Sequence, residues 1–239
     1  MRRAEKLFRI AIEPRWLGAL LSSRVAASAE HCDALKGLAC ACVVDIGANK
    51  GQFALLARRL FPSARIVAFE PLPRPTAVFR RVFAHDARVT LHACAVGERA
   101  GTASMHVSAR DDSSSLLPIT SLQSQIFPGT QESGTETIKV GRLEDFVSAD
   151  EIKSPALLKL DVQGYELSAL KGCENLLQHF AYVYAECSFV ELYKGHALAD
   201  EIIAWLRERG FILSGVYNLA YDRGGKAVQA DFLFTRQSH

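Results

Sequence analysis

Short apolar runs alternate with amphipathic ones along most of the chain, the pattern of a parallel sheet whose strands are joined by crossover helices. The first such run, ACVVDIG at 41–47, ends in glycine and predicts a strand buried on both faces. QFALLARRLF at 52–61 follows with Phe53, Leu56, Ala57 and Leu60 at helical spacing and Pro62 to stop it. The cycle then repeats: RIVAFE at 65–70 reads as a strand, PTAVFRRVFAH at 75–85 as a helix opened by proline, and RVTLHACAVG at 88–97 as a third strand. TIKVGRLEDFV predicts a strand and a short helix, ALLKLD at 156–161 and AYVYAEC at 181–187 two more buried strands, with the helix YELSALKGCENLL between them. HALADEIIAWLRERG at 196–210 carries Leu198, Ile202, Ile203 and Leu206 on one face, with Gly210 as its stop. FILSGVYN and VQADFLFT, joined by DRGGK, predict an antiparallel hairpin at the sheet edge.

Two stretches break the alternation. At the N-terminus, Leu7, Phe8, Ile10, Ile12, Trp16, Leu17, Leu20 and Leu21 fall at near-helical spacing in a basic context, and a second helix-like run spans 25–38. Residues 1–40 therefore read as a helical extension and 41–239 as one domain. The extension is expected to pack on its own domain, with peripheral membrane contact as the alternative. The second stretch, ARDDSSSLLPITSLQSQIFPGTQESGT at 109–135, is polar and lacks a sustained period. A segment that long inside a compact domain reads as a lid over a site.

Composition narrows the class. A chain of 239 residues with 49% hydrophobic and 23% charged positions has the make-up of a soluble globular domain with a real core. Its 28 Lys plus Arg against 26 Asp plus Glu leave a net charge of +2, too balanced for a nucleic-acid footprint. The six cysteines form no C-x-x-C and have no histidine at zinc-ligand spacing, so they read as buried thiols of a reducing compartment. Arg9, Glu13, Pro14 and Arg15 interrupt any apolar leader, and no uncharged stretch approaches the ~18 residues of a membrane span. A cytoplasmic location is expected.

Ligands of open parallel sheets bind outside the carboxyl ends of the strands, so those ends are the candidate site. The first turn reads Asp45-Ile-Gly47-Ala-Asn49-Lys-Gly51, glycines allowing a tight turn before a helix, without the G-x-G-x-x-G of nicotinamide binding. Asp45 would repel a pyrophosphate and suits a ligand with a cationic amino group. Glu70 ends the second strand where a doubly wound domain places the acceptor for ribose hydroxyls. Together they point to a nucleoside with an amino-acid tail and no phosphates, of which S-adenosylmethionine is the example. Ala95 and Val96 end the third strand as a small apolar surface for an adenine face. Asp161 lies where the reacting group should be, Gln163, Gly164 and Glu166 open the next helix, and Glu186 ends the strand after it, followed by Glu191, Tyr193 and His196. Where the reacting partner must give up a proton, a base is needed, or a metal that acidifies it. Asp161 is the first choice as base, then Glu186, then His196. Asp161 and Glu186 are also the candidate ligands if a divalent metal such as magnesium takes part. In the 111–115 cluster, Ser114 is the candidate contact to the donor.

The segments VVDIGANKGQFALLARRLFPSARIVAFEPL, HACAVGERAG, DDSSSLL, KVGRLEDFV, LLKLDVQGYELSALKG and AECSFVELYKG, the last followed by a helix and GF, in that order from about residue 43 to residue 210, resemble the FkbM family of S-adenosylmethionine-dependent methyltransferases. The resemblance implies a class I methyltransferase fold: α/β, doubly wound, a mostly parallel seven-stranded Rossmann-like sheet with an antiparallel edge hairpin. It also implies that the donor is held by the Asp45–Gly51 turn and Glu70, and that the methyl group goes to a hydroxyl oxygen. The expected acceptor is a carbohydrate of a glycolipid, lipo-oligosaccharide, polysaccharide or glycosylated natural product, in some cases lipid-linked. At the position of Gln163 the family more often has Glu. A nicotinamide-dependent oxidoreductase and a non-catalytic binding module on the same fold are the rival readings.

Overall fold

A computed structural model of the chain describes residues 3–237. Helices α1 (Arg3–Ala11) and α2 (Pro14–Ser23) form the start, and Pro14 opens the second of them, where a missing N–H costs nothing. Arg24 then takes a left-handed conformation with φ 56°. That turn ends the helix, so 25–38 is not the continuous helix its pattern suggested. The chain runs extended to Ser28, makes a single 3₁₀ turn and enters the short helix α3 (Cys32–Leu35).

Beyond this point the alternation read from the sequence appears: β1 (Cys42–Ile46), α4 (Gln52–Leu60), β2 (Arg65–Phe69), α5 (Pro73–Val82) and β3 (Val89–His92). The run at 88–97 is not one strand. The chain leaves the main sheet after His92, and β4 (Ala95–Val96) joins a second, three-stranded sheet with β5 (Gly101–Ser108) and β6 (Glu132–Gly141), in the order β4-β6-β5. Between β5 and β6 the expected lid is ordered as a 3₁₀ turn at Asp111–Ser113 and helix α6 (Ser121–Ile126), whose first turn is capped by Thr120 Oγ1 accepting from the Gln123 N–H. Then come β7 (Ala156–Leu160), α7 (Glu166–Gly172), β8 (Tyr182–Ser188), α8 (Ala199–Glu208), β9 (Phe211–Tyr221) and β10 (Ala227–Arg236).

The main sheet has seven strands in the order β3-β2-β1-β7-β8-β10-β9, parallel except for β10, which runs antiparallel to β8 and to β9. The strand order turns back between β1 and β7, the place where a doubly wound sheet opens a crevice for a ligand. Strands β1 and β7 are buried along their whole length, which requires a covered sheet on both faces. On one face Val44, Leu158 and Leu160 pack with residues of α7 and α8, and on the other Val43 and Leu157 pack with α2, α4 and the segment after α2. Trp16 anchors the N-terminal helices there, its indole N–H donating to the Leu55 carbonyl at 3.1 Å. Phe8, Ile12 and Leu21 of the same helices remain exposed. All six cysteines are free thiols, and among the described residues no helix is long and apolar enough to cross a membrane.

Candidate active site

A cavity of about 630 Å³ opens at the carboxyl ends of β1, β2, β7 and β8, within the size range of small-molecule sites. Of the candidate residues, Gly47, Asn49, Glu70, Ala95, Val96, Ser114, Asp161 and Glu186 line it. Asp45, Gly51 and His196 are not among its walls.

The floor is built by the turn after β1. The N–H groups of Gly47 and Ala48 both donate to the Phe69 carbonyl, at 3.0 and 2.9 Å, and so lock this turn onto the end of β2. Gly47 has φ +78°, and a Cβ there would lie 1.8 Å from the Asp161 carbonyl oxygen. Only glycine fits, for its backbone conformation and for space. Gly47→Ala is expected to cost about 1–3 kcal/mol of stability or more and to push β1 and β7 apart, measured by urea unfolding; an unchanged midpoint would contradict this close approach. Gly51 serves a different purpose from the one its motif suggested: at φ +93° it faces the rings of Phe79 and Phe83, and so fits α4 against α5.

Asp45 does not reach the cavity either. It is fully buried, and its register partner across β1 and β7 is Lys159, whose ammonium lies 2.9 Å from Asp45 Oδ1. Lys159 Nζ also donates to the Gly47 carbonyl at 2.9 Å and sits over the Phe53 ring. Burial alone would lower the lysine's affinity for its proton, but the carboxylates of Asp45, Asp161 and Glu186 hold it above its ordinary value. The carboxylate read from the sequence as a partner for a cationic ligand is thus neutralised from within, and Lys159 itself lines the cavity.

Glu70 closes the next wall. Its Oε2 accepts the Asn49 N–H at 3.0 Å and its Oε1 the Leu72 N–H at 2.8 Å, which fixes the carboxylate at the end of β2. Burial pushes its pKa up to about 7, and those two N–H bonds oppose the rise.

Opposite, the loop after β7 gathers a polar cluster. Gln163, in the left-handed region with φ 55°, is followed by Gly164 at φ 92°. This backbone aims the Gln163 side chain across the strand ends. Its Nε2 donates to Asp161 Oδ1 at 2.7 Å and to Glu186 Oε2 at 2.9 Å, and its Oε1 accepts from the Tyr193 hydroxyl at 2.6 Å. Gln229 Nε2 donates to the other Glu186 oxygen at 2.8 Å. Burial raises the Glu186 pKa well above its ordinary value, reinforced by the charges of Asp161, Asp231 and Glu166. Asp231 is its register partner on β10, and like charges facing each other across a ladder repel. Behind the turn, Glu166 Oε1 accepts the N–H groups of Val162 and Gly164.

Two carboxylates converge as a metal site would need, but the group between them is an amide N–H donor. This donor set does not fit a divalent cation bridging Asp161 and Glu186. Among the described residues no cluster of three His, Cys, Asp or Glu side chains could hold a metal ion.

His196 is held in its own loop, with Nε2 3.1 Å from the Val190 carbonyl and 3.3 Å from the Leu192 N–H, and burial lowers its pKa. Glu191 caps the same loop by accepting the Gly195 N–H. Tyr193 reaches inward from it to Gln163 and is buried. The lid meets this loop through a bridge between Ile119 and Tyr193 and through Thr120 Oγ1, which donates to the Leu192 carbonyl at 2.7 Å. Ser113, Ser114, Leu116, Gln123 and Phe127 of the lid line the cavity, so the segment covers the site as its composition suggested, in an ordered form. Ser114 Oγ accepts the Ser108 N–H at 3.1 Å.

Residues 45–213 match the model of the methyltransferase FkbM domain. The chain belongs to the FkbM methyltransferase family. Among curated relatives, 2-O-methyltransferase NoeI of Sinorhizobium fredii is 30% identical over 159 residues, covering 64% of this chain and 65% of that protein. The 31-O-demethyl-FK506 methyltransferase FkbM of Streptomyces tacrolimicus is 30% identical over 193 residues, with 71% and 72% covered. Hexuronic acid methyltransferase AglP of Haloferax volcanii is 29% identical over 179 residues, with 71% and 68% covered. Sp1610 of Streptococcus pneumoniae, solved with S-adenosyl-L-methionine, shares the fold at TM-score 0.50 and 10% identity, over 90% of this chain and 74% of its own.

Sequence reading of this FkbM-family chain passed over Lys159, His31, Asn218, Gln229 and Asp231, all of which line the cavity. Lys159 carried a signal: one charge in each of two otherwise apolar runs, VVDI at 43–46 and LLKL at 157–160, of opposite sign. Asp231 within VQADFLF carried a weaker one. His31, Asn218 and Gln229 come from a bent N-terminal segment and a bulged hairpin, whose local conformations have no periodicity to read.

Proposed function

We propose that this protein is an S-adenosylmethionine-dependent O-methyltransferase acting on a carbohydrate hydroxyl. The observation that carries the reading is one cavity joining two halves: the Gly47 turn, Glu70, Ala95 and Val96 on one side, and Asp161, Gln163 and Glu186 on the other. The first half suits a nucleoside donor, with Glu70 accepting from ribose hydroxyls and the small side chains of Ala95 and Val96 against the adenine. When bound, the donor supplies an electrophilic methyl group on a sulfonium. Asp161 takes the proton of the acceptor hydroxyl, while the walls align the acceptor oxygen with the methyl group and the leaving sulfur. Family membership and relatives named as methyltransferases, one of them a 2-O-methyltransferase and one a hexuronic acid methyltransferase, support the chemistry.

On the acceptor side, Asp161, Glu186 and Asp231 place more acidic than basic groups beside Lys159 and His31. That balance favours a neutral or amine-bearing sugar over a uronic acid. A lipid-linked acceptor draws support from Phe8, 65% exposed, and Leu21, 75% exposed, on the N-terminal helices. The test is transfer of labelled methyl from the donor to neutral, amino and uronic glycans. Label in alkali-stable ether linkage on the neutral or amino sugars is expected; donor binding with no transfer to any glycan would overturn the substrate class.

The raised pKa of Glu70 gives a pH prediction. Its native pKa near 7 exceeds the ordinary 4.5, so the folded state favours the proton, and this contribution to stability is lost as pH rises from 4.5 through about 7. Donor binding has the opposite sign, because ribose hydroxyls need the ionised acceptor. Affinity for S-adenosylhomocysteine is expected to rise about tenfold between pH 6 and 8, read by calorimetry, and Glu70→Gln to flatten the profile. A flat wild-type profile would remove Glu70 from the donor site.

A further inference from the structure

The neighbours of Gln163 orient its side-chain amide, the Tyr193 hydroxyl lying closer to Gln163 Oε1 than to its other acceptor, the Ser113 carbonyl at 3.3 Å. The Tyr193 hydroxyl, itself accepting from Gln123 Nε2 at 3.2 Å, donates to Oε1. That leaves the NH₂ group toward Asp161 Oδ1 and Glu186 Oε2, both acceptors when ionised. Ser115 Oγ donates to the Gln163 backbone carbonyl at 2.6 Å, holding the left-handed turn from the lid side. The amide nitrogen therefore stands where a cation shared by the two carboxylates would stand. It is neutral, it uses both protons, and it leaves Asp161 Oδ2 outside this pair of bonds.

We propose that Gln163 is a positioning residue that takes the place of a bridging divalent cation, holding Asp161 and Glu186 together so that the acceptor hydroxyl meets a metal-free carboxylate. The inference rests on the methyltransferase reading and deepens it. In the step it describes, a lone pair of the acceptor oxygen forms the new C–O bond, the C–S bond breaks with its electron pair going to sulfur, and the hydroxyl proton passes to Asp161. No cation is consumed or needed in that balance. Lys159 supplies the positive charge that keeps the carboxylate group from expelling itself, from the buried side of the sheet.

Glutamate at 163 changes the electrostatics and little else. One of its oxygens still accepts from Tyr193, and the other faces Asp161 and Glu186 as a third carboxylate. Three converging carboxylate oxygens are the donor set for Mg²⁺ or Mn²⁺. The experiment is titration of Mn²⁺ into the full-length wild type, Q163E and Q163A, followed by loss of the free-ion electron paramagnetic resonance signal, with S-adenosylhomocysteine affinity measured on each sample. The wild type is expected to leave the Mn²⁺ signal intact with or without S-adenosylhomocysteine, and its methyl transfer to survive EDTA. Q163E is expected to bind Mn²⁺ about tenfold more tightly than the wild type, or better, and its transfer to become EDTA-sensitive. Should Q163E not fold, Q163A serves, because it removes the donor and leaves two carboxylates to share a cation; added D161N should abolish the gain. Saturable Mn²⁺ binding by the wild type that D161N removes would overturn the proposal, as would a Q163E protein that binds no more Mn²⁺ than the wild type. Absence of S-adenosylhomocysteine binding by the wild type would instead count against the donor assignment, whatever the Mn²⁺ result.

Discussion

Lys159→Met is expected to lower the unfolding free energy by about 3–5 kcal/mol, the range found when one partner of a buried ion pair is removed. Asp45 is fully buried, and its Oδ1 has the Lys159 ammonium at 2.9 Å. Without that ammonium the carboxylate either stays charged in an apolar strand interior or takes up a proton, and both states cost stability. The Gly47 carbonyl loses its donor at the same time, so the turn that floors the cavity should loosen. Urea denaturation reads the first effect, and S-adenosylhomocysteine affinity the second. The double variant Asp45→Asn, Lys159→Met should recover most of the stability, since it removes both charges. If the single variant lost less than about 1 kcal/mol, as an exposed pair would, Lys159 would not be the counter-ion of Asp45.

Asp161→Asn addresses turnover. The substitution keeps an oxygen for Gln163 Nε2 and so preserves the local hydrogen bond, but it removes the basic carboxylate. Loss of a positioned general base lowers kcat by about 10²–10⁴-fold, and donor affinity should change by less than about threefold because the donor half of the cavity is untouched. Pre-steady-state methyl transfer with saturating donor separates the two quantities. Equal turnover by wild type and variant would move the base elsewhere, with Glu186 the next carboxylate on the same amide.

The main sheet was legible because its strands are buried on both faces and its helices carry one apolar stripe each; residues 41–70 and 156–210 keep those periods almost without interruption. The second sheet was not. Strand β5, with its sequence GTASMHVS, is mostly exposed or half-buried; Ala103, Met105 and Val107 alternate in it, but the small and polar residues around them make the signal weak, and β4 is only two residues long. Glycines were seen but not told apart: Gly47 faces the Asp161 backbone and the cavity, Gly51 faces aromatic rings, and the motif itself is silent on which. Likewise Asp45 and Glu70 are both strand-terminal acids, yet the register places a lysine beside only the first of them. The acidic cluster at Asp161 and Glu186 could be anticipated from strand ends. That Gln163 joins the two depends on a left-handed turn, which the dipeptide Gln-Gly hints at without fixing the side chain's direction.

Calorimetric titration of the protein with S-adenosylhomocysteine at pH 8 bears most directly on the whole reading. One site per chain with affinity near micromolar, about −8 kcal/mol, and a markedly weaker site in Glu70→Gln are the predicted results. No saturable binding by the wild type, in calorimetry and in equilibrium dialysis with labelled donor, would contradict a donor pocket between Gly47 and Glu70.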